Sequence, residues 1–285
     1  MEFVTLRNGV KMPIIGFGTW PLKGNILEKA IGYAYNAGCL LYDTANLYEN
    51  EEDLGKAISY YKVQRNSLFL TSKIQAVQYH GRKRYLYLNR QSVSTSYMKS
   101  CKKLNTCYLD LYLLHSPFKG YLKAYGELLN LYKKEKVKAI GVCNCNIENL
   151  KDIYSEYGEY PMVNQIELHP FNQQHEMLEF CSSNDIQIEA YSPFAHGVIM
   201  KELMDNEVLI NIAKAHNRTI TQIILRWLVQ LNIVVIPRST SKKHIEENYN
   251  VFDFQLSEKE MGMIKSLDRK EAHSRFAKSK MNDER

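Results

Sequence analysis

Short apolar runs alternate with amphipathic stretches along nearly the whole chain. The runs near 15–18, 40–42, 68–72, 109–115, 139–143, 163–167, 187–191 and 234–236 have the length of strands and end at polar or turn residues. Between them, apolar residues recur at the three-to-four spacing of one helix face near 25–36, 51–59, 92–104, 122–134, 147–157, 175–183, 207–216 with 221–231, and 243–249. Eight strands alternating with helices predict a parallel sheet, and eight is the number that closes a barrel. Two shorter runs, 3–6 and 11–14, flank Asn8-Gly9. That dipeptide is the strongest short hairpin signal, so a β-hairpin is expected ahead of the barrel. The expected fold is an α/β (β/α)8 TIM barrel with an N-terminal β-hairpin, one domain over 1–285. A helical 258–267 leads into a charge-rich 268–285 that is expected to form a mobile tail.

An open doubly wound sheet is the competing fold. Gly16-Phe17-Gly18 lacks the third glycine and the following helix of a dinucleotide fingerprint, which disfavours it. At 285 residues, 45% of them hydrophobic, the chain buries a large core but is too short for two full barrels.

The formal charge of +6 is modest, and the basic residues are dispersed apart from Gly81-Arg82-Lys83-Arg84 and the tail. This speaks against a nucleic-acid partner, which would want a concentrated basic stripe on a recognisable module. No apolar run reaches the ~20 residues of a membrane span, and the first residues lack the basic and apolar regions of a signal peptide. Six cysteines show no disulfide-framework spacing. Free thiols in a cytoplasmic protein are the expectation.

In a parallel barrel every strand C-terminus opens onto one face, so residues far apart in sequence converge there. The strand ends here read Thr19-Trp20, Asp43, Lys73, His115, Asn144, Gln165, Tyr191-Ser192 and Arg238-Ser239. Taken singly, each has an ordinary explanation as a cap, a turn or a solvated charge. Together, Asp43, Tyr48, Lys73 and His115 describe a proton-donating device. A tyrosine with reference pKa of about 10 is a poor acid near neutrality unless a cation stabilises its phenolate. Lys73 supplies the cation, Asp43 holds it charged, and His115 donates a hydrogen bond to the oxygen that receives the proton. No activated nucleophile is present, so the set suits proton transfer coupled to hydride transfer.

Six segments in order resemble the aldo-keto reductase family: Gly16-Phe17-Gly18-Thr19-Trp20; Asp43-Thr44-Ala45 with Tyr48, Asn50 and Glu51; Thr71-Ser72-Lys73; Asp110 to His115 with Pro117; Asn164-Gln165-Ile166-Glu167 with His169-Pro170; and Ile236-Pro237-Arg238-Ser239. The match runs from about residue 3 to 268. It is most similar to the short prokaryotic-type 2,5-diketo-D-gluconate and methylglyoxal reductases.

The resemblance implies an NAD(P)H-dependent carbonyl reductase, with NADPH the expected cofactor and NADH an alternative, monomeric, acting on a small-molecule carbonyl substrate, with no metal. Tyr48 would be the proton donor, tuned by Asp43 and Lys73, and His115 would orient the substrate. The cofactor would lie across the mouth, with Tyr191 stacked on the nicotinamide and Asn144 and Gln165 on its carboxamide. Thr19 and Ser192 would meet the linking sugar and phosphates, Arg238, Ser239 and Thr240 the ribose phosphate, and Glu247 and Asn248 the adenine; Asp43 counts among the cofactor-side residues as well. Trp20, Leu47, Gln75, His115 and Ser116 would face the substrate.

Three positions depart from the family pattern. His244 replaces a second arginine for the 2′-phosphate, which implies a weaker preference for NADPH over NADH. Cys143 stands where serine is usual, and Ser116 where many members carry tryptophan. The last change removes an aromatic wall and would widen the pocket for small oxidised sugars or α-dicarbonyls. Two other readings are a metal-dependent hydrolase and a non-catalytic nicotinamide-nucleotide sensor or structural protein. The first would need several convergent His, Asp and Glu ligands; the second would have no need of all four residues of the device.

Overall fold

The computed structural model describes residues 2–74, 78–80, 83–85 and 90–273, of which 78–80, 83–85 and 90–92 by backbone alone. The hairpin strands β1 (Phe3–Thr5) and β2 (Lys11–Pro13) pair antiparallel with Phe3 opposite Pro13 and Thr5 opposite Lys11. Gly9 supplies the positive φ of the turn between them, +86°. The hairpin buries Val4, Leu6 and Met12. It is tied to the barrel by Asn8, whose Nδ2 donates to the Lys138 carbonyl at 2.9 Å, and by Arg7, which donates to the carbonyls of Tyr160 and Pro161.

Eight parallel strands follow: β3 (Gly16–Gly18), β4 (Leu41–Asp43), β5 (Phe69–Ile74), β8 (Leu109–Leu114), β9 (Val137–Cys143), β10 (Val163–Glu167), β11 (Gln187–Tyr191) and β12 (Val234–Val235). A separate antiparallel ribbon, β6 (Gln78–His80) and β7 (Lys83–Tyr85), sits between β5 and β8 in the chain. Its second strand takes in Lys83 and Arg84 of the basic cluster, which the sequence pattern had not assigned to any element.

The sheet closes where β3 meets β12. Ile15 bridges Val235, the Val235 N–H donates to Ile14 O, and the Gly18 N–H donates to Pro237 O. Gly18 allows this closure, since a Cβ there would stand 2.9 Å from the Ile236 carbonyl oxygen, and a Cβ on Gly16 would run into the Leu41 side chain of β4. The G-x-G is therefore a packing motif of β3.

The helices are α1 (Gly24–Asn36), α2 (Glu51–Tyr60), α3 (Arg90–Lys103), α4 (Tyr121–Lys133), α5 (Ile147–Tyr157), α6 (His175–Ser183), α7 (Gly197–Met204), α8 (Glu207–His216), α9 (Ile220–Gln230), α10 (Lys242–Tyr249) and α11 (Glu258–Lys265). Capping boxes start α5, α9 and α11 at Asn146, Thr219 and Ser257. Helix α7 had no such signal. Its N-cap, His196, makes no side-chain cap bond, and its exposed apolar Val198 and Met200 blur the face marked by buried Ile199 and Leu203. None of the helices among the described residues is long and apolar enough to cross a membrane.

The segment expected to begin the tail is docked on the barrel. The Arg269 and Glu271 N–H groups both donate to Phe171 O, the Arg269 guanidinium lies 3.8 Å over the Phe171 ring, and the His273 N–H donates to Glu167 Oε1 at 2.8 Å. Gln75 and the chain beyond 273 lie outside the described residues.

Candidate active site

Strand register explains how the four residues of the device meet. Asp43 closes β4 opposite Thr71 of β5, and Lys73 lies two residues further on, on the same face of β5 as Thr71. Lys73 in turn pairs with Leu113 of β8, and His115 follows two residues later, its N–H fixed on Ile74 O at 3.0 Å. Tyr48 comes from the short 3-10 turn Asn46–Tyr48 after β4.

That turn is held by Asn50, which is fully buried. It accepts from Thr44 Oγ1 at 2.7 Å and donates to the carbonyls of Thr19 and Leu22 at 3.2 and 2.9 Å. Glu51 next to it accepts from Ser72 Oγ at 2.7 Å. Asn50 and Glu51 thus anchor the loop bearing Tyr48 to its two neighbouring strands. They belong to the quoted motif, and a buried polar pair at a loop's end was the signal that could have singled them out.

The Lys73 ammonium is entirely buried and donates to Asp43 Oδ1 at 2.5 Å, to Thr44 O at 3.0 Å and to the Tyr48 hydroxyl at 3.3 Å. Burial opposes its charge, but Asp43 outweighs that and raises the ammonium above its ordinary range, so Lys73 is a fixed cation. The Tyr48 oxygen stands 3.5 Å from His115 Nε2. Burial, with Lys73 adding to it, holds His115 well below the usual imidazole range, so the ring is neutral and carries one N–H. Burial also pushes the Tyr48 phenol up to about 12 against the pull of Lys73. The phenol is thus held protonated, with the cation that would stabilise its phenolate already in place.

Gln165 on β10 donates from Nε2 to Asp43 Oδ2 at 2.9 Å and to Glu189 Oε2 at 2.7 Å. Both of its N–H groups are thereby used inside the barrel, and its Oε1 accepts from Cys143 Sγ at 3.7 Å. Glu189 on β11 was not among the expected residues. A carboxylate in the middle of an apolar strand, Ile188-Glu189-Ala190, was the signal for it. Burial and then the Asp43 charge push its carboxyl up to about 8.

The outer positions divide into those open to the mouth and those committed inside. Asn144, at φ 57°, donates from Nδ2 to His115 O and accepts from the Tyr191 hydroxyl at 2.8 Å, so the two strand ends brace each other. Ser192 Oγ is 2.8 Å from His196 Nε2, and the His196 ring meets Trp20 edge-on at 6.5 Å. His196 is a further residue of the mouth that sequence alone had not singled out. Arg238, Thr240 and His244 are exposed, and among the described residues no salt bridge engages Arg238. Ser239 Oγ accepts from the Ser241 N–H, and Glu247 pairs with Lys243 at 3.8 Å.

Thr19 is fully buried, its hydroxyl donating to Asp43 O, and Asn248 is buried on α10. Trp20 is 53% exposed and Leu47 half-buried, whereas Ser116 is only 1% exposed.

Residues 14–269 match the model of the Aldo/keto reductase family. The chain is 38% identical over 272 residues to a glyoxal reductase of Bacillus subtilis, covering 95% of this chain and 94% of that one. It is 37% identical over 268 residues to the methylglyoxal reductase DkgA of Escherichia coli K12, covering 93% of each. Among solved structures it is similar to an aldo-keto reductase complexed with NADPH, with a TM-score of 0.86 and 29% identity over 95% of this chain and 89% of the other. A barrel whose closed sheet gathers a buried Asp-Lys pair, a tyrosine and a neutral histidine at its mouth, and whose sequence matches over this length, belongs to the Aldo/keto reductase family of oxidoreductases.

Proposed function

We propose that this protein reduces small carbonyl compounds to alcohols, α-dicarbonyls such as glyoxal and methylglyoxal foremost, with NADPH as hydride source and Tyr48 as proton donor. The observation that carries this reading is the position of the Lys73 ammonium, bound at once to Asp43 and to the Tyr48 hydroxyl, beside a neutral His115. The names of the relatives, glyoxal and methylglyoxal reductase, support the substrate class, and the NADPH-bound structure supports the cofactor.

The donor set of the mouth fits a nicotinamide dinucleotide phosphate. Asn144, braced by the Tyr191 hydroxyl, sets an amide at the strand ends, and an exposed arginine with hydroxyl neighbours, Ser239 and Thr240, marks the far side after β12. Such a cation suits a ribose phosphate, which favours charge-assisted hydrogen bonds. When bound, reduced nicotinamide supplies the hydride that adds to the carbonyl carbon.

The chain's own residues handle the oxygen. His115 donates its N–H to the carbonyl oxygen and orients it. As negative charge builds there, the Tyr48 O–H transfers its proton and the alcohol forms. Lys73, held charged by Asp43, stabilises the phenolate left behind until a proton returns from solvent. Trp20 and Leu47 offer apolar area to a substrate with little else to bind.

The test is NADPH oxidation, followed at the nicotinamide absorbance, across glyoxal, methylglyoxal, short aldehydes and keto-sugars. Turnover with α-dicarbonyls is expected. No loss of absorbance with any of these carbonyls would overturn the reading and favour a nucleotide-binding protein.

A further inference from the structure

The chain comes back to the barrel mouth after its last helix. From Asp268 to His273 it lies across the two loops that follow β10 and β11. On the β10 side, Asp268 Oδ1 accepts from the Gln173 N–H at 3.0 Å, and the Arg269 and Glu271 N–H groups meet Phe171 O at 3.1 and 3.0 Å. On the β11 side, Arg269 pairs with Glu202 of α7 at 2.6 Å, and the His273 ring stands 5.7 Å from that of His196. A Cβ on Gly197 would sit 3.9 Å from His273 Cε1, so this ring lies directly on the start of α7.

The loop beneath the His273 ring is strained. Ser192, Ala195 and Gly197 have φ of 50°, 53° and 58°. For a residue with a Cβ the left-handed region is unfavourable, and it persists only where the surroundings hold it. The loop's own polar ties are local, Ala195 N–H to Ser192 O and Ser192 Oγ to His196 Nε2, both at 2.8 Å. From outside, the His196 ring is set between Trp20, edge-on at 6.5 Å, and His273. What in turn holds His273 is Glu167, the last residue of β10 and the register partner of Tyr191. Glu167 is 1% exposed, and a carboxylate so buried requires donors. Its Oε1 meets His169 Nε2 at 3.2 Å and accepts the His273 N–H at 2.8 Å. A carboxylate makes that second bond stronger than a neutral acceptor would.

We propose that residues 268–273 are a clasp, anchored on Glu167, that holds loop 192–196 in its strained shape over a bound dinucleotide. Glu167 is thereby a positioning residue that sets how slowly NADPH leaves. The inference rests on the cofactor reading above, in which Ser192 meets the linking phosphates. No residue of the clasp needs to touch the cofactor. Release requires the loop to move aside, and the His273 ring stands against that movement. With the bond to Glu167 cut, the loop loses its outer support and the cofactor leaves sooner.

The test times NADPH release by stopped-flow fluorescence, mixing the loaded protein with excess NADP+ as the trap. Glu167→Ala removes the acceptor, and His273→Pro removes the donating N–H. Each should speed release about tenfold, the effect of one charge-assisted hydrogen bond. The double variant should be no faster than either, because both changes cut the same bond. Glu167→Gln keeps an acceptor oxygen and should fall between the wild type and Glu167→Ala. Release at the wild-type rate in His273→Pro overturns the proposal, as does a double variant whose acceleration is the product of the two single ones. His273 lies past the last helix, so His273→Pro decides the matter even where Glu167→Ala fails to fold. A wild type that binds no NADPH rejects the cofactor reading and the clasp with it; binding with unchanged release in His273→Pro rejects the clasp alone.

Discussion

The Tyr48 hydroxyl accepts a hydrogen bond from the Lys73 ammonium at 3.3 Å, and the same ammonium is gripped by Asp43 at 2.5 Å. Tyrosine and lysine come from different elements 25 positions apart, and both are closed in by the buried loop ties of Thr44 and Asn50. Burial makes the phenol hard to ionise, and the adjacent cation favours its ionisation, so proton loss is reserved for the moment when a strong base, a developing alkoxide, is present.

Tyr48→Phe removes the proton and little else. The expected result is a loss of about 10²- to 10⁴-fold in kcat, with the NADPH dissociation constant, read by fluorescence titration, changed by no more than about twofold. Undiminished turnover would remove Tyr48 from the chemistry.

Lys73→Met strips Asp43 of its partner and leaves a buried carboxylate. A loss of about 3–5 kcal/mol in urea unfolding is expected near neutral pH. The loss should shrink in acid, where a protonated Asp43 is no longer a charge. Adding Asp43→Asn should restore most of the stability and none of the activity. A double variant as unstable as the single one would show that the lysine stem, not the charge, carries the effect.

His115 is held neutral, and the sign of its contribution to stability follows. Below about 6.5 the unfolded chain takes up a proton on this histidine and the folded protein does not, so stability is lost progressively as pH falls below that value. In His115→Gln this part of the pH dependence should vanish from thermal melts. A wild-type and variant difference that is flat with pH would contradict the neutral assignment. The kcat profile, for the same reason, should show no acid limb at the ordinary histidine value.

His244 is exposed on α10, following Arg238 after β12. Replacing it with arginine adds a fixed, fork-shaped donor set for a phosphate. The ratio of kcat/KM for NADPH over NADH should rise about three- to tenfold. An unchanged ratio would mean that Arg238 alone sets the preference.

The order of elements was legible because burial leaves its period in the sequence. Strands β10 and β11 and helices α5, α6 and α8 fall where the apolar pattern puts them, since each has a face or a run that must be covered and a polar residue where it stops. Helix α7 and the ribbon of β6 and β7 were not, because Val198 and Met200 of α7 face outward and the ribbon lies on a polar, basic stretch.

The four residues of the device were visible for a related reason: each stands where an apolar strand ends, and in a parallel barrel all such ends share one mouth. What tertiary structure alone decided is how their charges divide. Sequence supplied a cation, a phenol and an imidazole; burial and their mutual contacts favour a protonated Tyr48, a neutral His115 and a charged Lys73 ammonium. It also brought Glu189, from a strand nearly 150 residues after Asp43, to the same Gln165 amide. Which strands are neighbours follows from closing the barrel. How far a charge lies from water and from other charges depends on that closure, and no local pattern in the sequence records it.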